Sequence, residues 1–467
     1  MKSFEQKSRA TIMTDLSYGD AGKGTTTEYL ANNSSSAAVI RFNGGGQAEH
    51  NIVTPDGRHH TFSQFGAGSF LPGVATHLSR DMLVNPINMN AEADHLALLG
   101  VDDVWERTTV DEDARIVTPY HRAGNRLREL ARNHGTGRHG STGQGISEAV
   151  MDWMFRDDLT LHAGDITSTG LVDKLEAMRK YKRDQMTGFG SMLADNTPDW
   201  EALNDPTLSE WYAELYVEWA KKLRITAGDH LAQLALRYEH LIFEPAQGVL
   251  LDEKRGFHPH TTWSNTTPWN AEKQLEYIDY DGDVTKLGIL RAYTTRHGYG
   301  PFVTEDEALD GPLSEYFNGK GPWQGKFRIG HFDAVAHRYA AKAAGRLDGL
   351  VVTGIDRVSE MPEWKYATHY EKPSGDTEGY LVADLTGDIR DIVVGEYGDK
   401  EHLKQLTRLM FSAIPRYESI AYPTPEQVVG TIEREMGQHV VLASFGPTMN
   451  DKVVLDHSVM GGLVEAA

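Results

Sequence analysis

The stretch Ser17-Tyr18-Gly19-Asp20-Ala21-Gly22-Lys23-Gly24-Thr25 places three glycines and a lysine around one aspartate. Glycines let backbone N–H groups close on phosphate oxygens, and a helix starting behind them adds its positive end. The pattern departs from the usual phosphate loop, G-x-x-x-x-G-K-[ST]. Ser17 stands at its first glycine and Gly24 at its magnesium-binding hydroxyl. A carboxylate inside a phosphate cradle repels its ligand unless it has a task of its own. Asp20 either holds Mg2+ against the phosphates or takes a proton from the acceptor of a phosphoryl group. The plainer alternative is a helix cap.

Four further loops carry groups suited to the same chemistry. "RFNGGGQAEHNIV" sets His50 just past three glycines, where an imidazole can donate to a transferring oxygen. "GTGRHGSTGQGISEA", followed by Arg156, offers glycines and hydroxyls to a phosphomonoester. "FEPAQGVLLDEKRGFHPHTTWSNTTPW" contributes Gln247 and Thr262. His258 and His260 in that loop have no partner carboxylates on a shared helix face, which argues against a metal site. "GKFRIGHFD" concentrates Lys326 and Arg328, either able to bind a carboxylate or a phosphate, or to stand as a solvated basic loop.

These loops need a frame. "ATIMTDL", "SAAVIRF", "HLIFEPAQGVLLD" and "DGLVVTGIDRV" read as apolar strands running into Gly-rich loops. "GKGTTTEYLANN", "NMNAEADHLALLG" and "YHRAGNRLRELARNHG" read as helices, the last ending at Gly135 behind basic residues. Trp211, Leu215, Trp219 and Leu223 recur every four residues and predict a long helical region between Thr207 and His240 with a buried stripe. "EKPSGDTEG" reads as a surface loop. The expected fold is a large α/β domain with a mostly parallel central sheet, its ligand loops beyond the strands' carboxyl ends. No internal repeat or long linker divides it, so residues 1–467 are expected to form one domain.

Composition narrows the class. With 40% hydrophobic and 24% charged residues the chain reads as a soluble globular protein. A formal charge of −21 disfavours nucleic acid and anionic membranes as partners. The chain has no cysteine, which excludes disulfides, thiolate zinc sites and a cysteine nucleophile. No apolar run approaches the roughly 20 residues of a membrane helix, and "MKSFEQKSRATIMTDL" lacks a signal peptide's apolar segment. A cytoplasmic location is the expectation.

In order along the chain, these loops resemble the motifs of the adenylosuccinate synthetase family. "GDAGKG" is similar to its G-D-E-G-K-G, "RFNGGGQAEH" to R-x-Q-G-G-H-N-A-G-H, and "GSTGQGI" to G-T-T-G-R-G-I. "FEPAQGVLLD…SNTT" resembles F-E-G-A-Q-G-x-x-L-D…S-N-T-T, and "AYTTRHGYGPFVTE" resembles A-Y-T-T-R-V-G-A-G-P-F-P-T-E. "TGID" stands at T-K-L-D and "SFGP" at S-T-G-P, with weak correspondence only near 186–210, 371–400 and the tail. The resemblance implies a GTP-dependent carbon–nitrogen ligase. Such an enzyme phosphorylates the 6-oxygen of a 6-oxopurine nucleotide and lets L-aspartate displace that phosphate, giving an adenylosuccinate-type product.

By the same resemblance Asp20 is the base and an Mg2+ ligand, with the Glu49 backbone carbonyl as a second oxygen. His50 hydrogen-bonds the transferring phosphoryl group and Lys23 steadies its charge. Gly22, Gly24, Asp356, Ser444 and Gly446 bind GTP. Gln47, Thr142, Gln247 and Thr262 bind the acceptor nucleotide. Arg156 reaches the acceptor phosphate of a neighbouring subunit, which implies a homodimer. Lys326 and Arg328 grip the amino acid.

Several positions depart from the family. Ala21 replaces the loop Glu, Thr25 a Lys, Gln47 an Asn, Gln144 an Arg, Gly354 the Lys beside the guanine Asp, and His297 a small apolar residue. The amino-acid loop, Gly321 to His331, lacks the family's threonine pair. "GSTGQG", "KFR" and "FGPTMND" resemble the phage-type 2-aminoadenylosuccinate synthetases, which use dGMP as acceptor. That branch commonly carries Ser where this chain has Asp20. An IMP-like acceptor is therefore expected, with dGMP as the alternative.

Overall fold

The computed structural model describes residues 7–133, 140–189, 197–315, 318 and 323–463. Its frame is a ten-stranded sheet built, in chain order, from β1 (Arg9–Asp15), β2 (Ala37–Arg41), β3 (Ala75–Leu78), β4 (Thr108–Asp111) and β5 (Arg224–Thr226). It continues through β6 (His240–Glu244), β7 (Asp283–Arg291), β8 (Gly349–Thr353), β9 (Val440–Ser444) and β10 (Lys452–Val454). Across the sheet the order is β10-β9-β8-β7-β1-β6-β2-β3-β4-β5. Every pairing is parallel except β9–β10, which is antiparallel.

Parallel strands bury both faces, so they need near-continuous apolar runs. β1 shows why the sequence folds this way: Ala10 and Ile12 pack into one apolar cluster and Met13 into another. The predicted strands and helices fall where their apolar patterns place them, including α1 (Lys23–Asn32) and the helices Pro86–Leu98 and Pro119–Asn133. Gly135 lies outside the described residues.

The region between Thr207 and His240 differs from its expected form. The helix Leu208–Lys222 ends before β5, and a separate helix, His230–Arg237, follows. The buried side runs through Tyr212, Tyr216 and Trp219, while Trp211 is 52% exposed. The four-residue repeat therefore crossed faces: a true stripe alternates three- and four-residue steps to match 3.6 residues per turn. Of the two weakly matched stretches, 190–196 lie outside the described residues. The stretch 371–400 contributes the strands Leu381–Ala383 and Ile389–Ile392 to a second, five-stranded sheet. No described helix is long and apolar enough to cross a membrane.

Six adjacent strands position the chemistry. Reading across β9, β8, β7, β1, β6 and β2, their last residues are Ser444, Thr353, Arg291, Asp15, Glu244 and Arg41. Their following loops all open on the carboxyl edge of the sheet, where open α/β folds bind ligands.

Candidate active site

The loop after β1 is organised by Asp15, which is wholly buried. Its carboxylate accepts from the Ser17 N–H and hydroxyl (2.9 and 2.7 Å), the Ala21 N–H (3.1 Å) and Lys23 Nζ (2.8 Å). Those bonds wrap the loop around Asp20, whose backbone is left-handed at φ 58°. Such strain in a residue with a side chain persists only where surroundings enforce it, and it gathers at functional sites. Gly22 is the residue ahead of α1 and carries no side-chain cap, so Asp20 is not a helix cap. Gly24 answers a packing demand, because a Cβ there would meet His50 Cβ at 2.9 Å.

A cavity of about 360 Å3 opens above this loop. Asp20, Gly22, Lys23, Gly24, Glu49 and His50 line it together with Asp356, Ser444 and Gly446. A second cavity, of about 470 Å3, is lined by Gln47, Thr142, Gln247 and Thr262. Both are of a size to take a nucleotide-class ligand. They meet at an ion pair: Asp20, on the wall of the first, lies 3.1 Å from Nε2 of His297, on the wall of the second. Burial alone would raise the Asp20 pKa. The His297 hydrogen bond and charge, with Lys23 and Arg291, outweigh it and hold the carboxyl well below the usual carboxylate range. His297 shifts upward for the reciprocal reason, against its own burial.

His50 is fixed from behind. Its Nδ1 sits 2.5 Å from Oε1 of Glu244, whose other oxygen accepts from the Ala67 N–H at 3.0 Å. Glu244 is wholly buried at the end of β6, and His50 Nε2 is buried with no hydrogen-bond partner. Burial keeps the His50 pKa below its ordinary value despite the carboxylate.

In the second cavity, both side-chain polar atoms of Gln47 and of Gln247 are buried and unpartnered. Gln247 also takes a left-handed backbone, φ 56°. Buried amides without partners cost free energy, so these four atoms are shaped for a polar ligand.

Three expected residues stand apart. Arg156 lines neither cavity; it pairs with Asp158 at 2.7 Å and lies over the Tyr181 ring. Lys326 pairs with Glu307 and Asp310 at 3.1 and 2.9 Å. Arg328 pairs with Glu305 and donates to the Gly298 and Gly300 carbonyls. Neither lines the described cavities, and Gly321 and Pro322 of their loop lie outside the described residues. Among the described residues no cluster of three or more His, Asp or Glu forms a metal site, His258 and His260 included.

Sequence reasoning missed Asp15, Glu244 and the His297 contact. The first two are acidic residues at strand ends, a signal present in "TDL" and "FEP". His297 stood out only as a departure from the family. Arg291, Tyr293 and Glu315 were also missed: the Tyr293 hydroxyl donates to Glu315 at 2.9 Å on the wall of the first cavity.

Two nucleotide-sized cavities meet at the half-buried Asp20 carboxylate, above the carboxyl ends of a parallel sheet, the arrangement of an α/β enzyme that brings two substrates together. The sequence profile described as adenylosuccinate synthetase matches residues 12–453. The adenylosuccinate synthetase of Hydrogenovibrio crunogenus is 30% identical over 465 residues, covering 95% of this chain and 98% of that one. That of Methylibium petroleiphilum is 29% identical, covering 99% and 100%. The fold is that of fully ligated adenylosuccinate synthetase from Plasmodium falciparum, with TM-score 0.74, 19% identity and coverage of 96% and 99%. A succinoaminodeoxyadenylate synthetase of cyanophage S-2L, bound to dGMP and dATP as an energy donor, matches at TM-score 0.59 and 15% identity, covering 98% and 99%. The chain belongs to the adenylosuccinate synthetase family. It is a GTP-dependent carbon–nitrogen ligase that joins aspartate to a 6-oxopurine nucleotide.

Proposed function

We propose that the first cavity binds GTP, the second binds an IMP-like acceptor, and Asp20 is the base between them. The observation that carries this reading is the junction: Asp20 and His297, 3.1 Å apart, each belong to a different cavity. Asp20 takes the N1 proton of the 6-oxopurine, and the 6-oxygen then attacks the γ-phosphorus while GDP leaves. The amine of L-aspartate next attacks C6 and expels phosphate, losing a proton. General-base help of this kind is worth about 10²–10⁴-fold. His50 donates from Nε2 to the transferring phosphoryl group as an imidazolium, because Glu244 holds the ring's other N–H at Nδ1 and the phosphoryl charge favours that form against burial. Lys23 and the N-terminus of α1 offset its charge.

Asp356 lines the first cavity from the first turn of the helix Ile355–Ser359. There its carboxylate accepts from guanine N1–H and N2–H2, two bonds adenine cannot offer. Gln47 and Gln247 supply the unpartnered amides for the acceptor base, and Thr142 and Thr262 the hydroxyls. Mg2+ suits the donor set, because one carboxylate, Asp20, and the Glu49 carbonyl are hard oxygens beside a phosphate site. When bound, the ion neutralises phosphate charge. The amino-acid subsite is proposed at Lys326 and Arg328, whose acidic partners Glu307 and Glu305 a dicarboxylate would replace.

A homodimer fits the helix Ile146–Phe155. Ile146, Ser147, Met151 and Met154 line the second cavity, while Trp153 and Phe155 at the end of the same helix are 46% and 72% exposed beside Arg156. A second copy placed against that end would bring Arg156 to its acceptor phosphate. We place the protein in the cytoplasm with its nucleotide substrates, as one domain over residues 1–467.

The retained Asp20 favours an IMP-like acceptor over dGMP. A matrix of IMP, dIMP, GMP and dGMP against amino acids, read by product mass, tests this. Product from IMP and aspartate supports the reading, product from dGMP alone replaces it, and full-rate GTP turnover without any acceptor refutes the ligase mechanism.

A further inference from the structure

Lys452 opens β10, the antiparallel edge strand, yet its side chain turns inward and is only 8% exposed. Its ammonium donates to Thr25 Oγ1, to the Thr448 carbonyl at 3.2 Å and to Ser444 Oγ at 3.5 Å. All three are neutral oxygens, and among the described residues no carboxylate makes an ion pair with it. Burial lowers its pKa to about 8, against the opposing charges of Glu28 and Asp451. The Glu28 carboxylate is itself buried without a hydrogen bond, and burial raises its pKa to about 7.

Thr25 sits in the first turn of α1 and lines the first cavity. Its neighbours Thr26 and Thr27 donate back to the Gly22 and Lys23 carbonyls. Thr25 instead accepts from Lys452, which occupies a lone pair and leaves its own O–H free to donate into the cavity it lines. Thr25 is also the position where the family's loop carries lysine.

We propose that Lys452 is a positioning residue for the donor triphosphate: its ammonium turns the Thr25 hydroxyl toward an anionic phosphate oxygen and returns to this loop the positive charge it lacks at position 25. The proposal rests on the GTP-site reading above. A buried ammonium bound only to neutral oxygens gains a counter-charge when a polyanion enters beside it, so its contribution is felt in donor binding.

Lys452→Met should raise the GTP KM about tenfold or more, the worth of a hydrogen bond to a charged group, while the acceptor KM stays within twofold. Combining Lys452→Thr with Thr25→Lys should return the GTP KM to within about threefold of the original, since the charge is restored from the other side of the same contact. A GTP KM within twofold of the original for Lys452→Met overturns the proposal. So does a double variant no better than Lys452→Thr alone, because a purely structural lysine cannot be rescued from position 25. If Lys452→Met does not fold, Thr25→Val tests the same bond with the lysine in place, and an unchanged GTP KM is again contrary. Calorimetric titration with a non-hydrolysable GTP analogue separates this from the ligase reading. Loss of analogue binding in Lys452→Met, in a chain that makes no product, supports the lysine's role while the ligase reading fails.

Discussion

Glu244→Gln tests whether His50 acts through charge or through shape. The 2.5 Å contact to Nδ1 and the 3.0 Å bond from Ala67 N–H use both carboxylate oxygens, and Glu244 is wholly buried. Glutamine fits that geometry: its amide oxygen keeps the Ala67 bond and its amide N–H donates to Nδ1. The imidazole stays aimed, with Nε2–H facing the first cavity. What disappears is the counter-charge that lets His50 become an imidazolium as negative charge builds on the phosphoryl oxygens.

A hydrogen bond to a charged group exceeds a neutral one by about 1–1.5 kcal/mol. Two unit charges 4 Å apart at an effective dielectric near 20 interact by about 4 kcal/mol. The transition state should therefore lose about 1–4 kcal/mol, and kcat should fall roughly 5- to 10³-fold. The GTP KM should move little, because the ground state does not need the extra charge. Glu244→Ala also strands the Ala67 N–H and His50, so it should lose about 3–5 kcal/mol of stability as well. Steady-state kinetics with GTP, acceptor and aspartate, beside thermal melts, supply both readouts. A Glu244→Gln enzyme within threefold of the original kcat refutes the reasoning, as does a loss confined to KM.

Asp20→Asn should lower turnover by about 10²–10⁴-fold while binding of a GTP analogue survives, as measured by calorimetry; retained turnover would remove Asp20 as the base. Asp356→Asn should shift preference from GTP toward XTP by about 10- to 100-fold, the worth of its hydrogen bonds, in a competition of the two donors. Asp333 caps the helix Ala334–Ala344 and accepts the Tyr370 hydroxyl at 2.7 Å; burial raises its pKa to about 6. The folded protein thus holds this proton more tightly than the unfolded chain does. The stability it contributes is full below about pH 3.9 and is lost as pH rises through about 6, by about 3 kcal/mol at about 1.36 kcal/mol per pH unit. Asp333→Asn keeps the cap and should flatten the difference in melting temperature between pH 4 and pH 7; an unaltered slope would contradict the assignment.

The parts legible in the sequence were those carried by short segments. "GDAGKG", "GGGQAEH" and "EPAQG" each follow an apolar strand, so strand, loop and candidate residue could be read together, and the carboxyl edge of the sheet followed. The contacts that tune them join distant residues: His50 and Glu244 are 194 positions apart, and Thr25 and Lys452 are 427 apart. Only the sheet order brings the segments after β1 and β2 close enough to β10 and β6 to make them. The stripe read near 211–223 held at Leu215, Trp219 and Leu223, which pack on the core, and missed at Trp211, because a strict four-residue step drifts off the buried face.

The departures from the family are consistent with a donor site rebuilt around them rather than an eroded one. Ala21 stands where the family has Glu, and it is fully buried, its N–H on Asp15 and its carbonyl accepting from Thr353 at 2.9 Å. Gly354 stands where the family has Lys; it is left-handed, φ 67°, and a Cβ would meet Tyr293 Cε1 at 2.8 Å. The lost cation is matched by Arg357, which lines the same cavity one turn on. Meanwhile Asp20 and Gln247 hold strained left-handed backbones at the junction and in the second cavity. Strain of that kind costs of order 1–3 kcal/mol per residue. Asp279 and Tyr422 hold the same backbone outside both cavities, so strain alone does not mark a site; Asp20→Gly and Gln247→Gly test whether here it serves catalysis, and each should lower kcat. A variant that gains stability at no cost in kcat would show that the strained residue serves the fold alone.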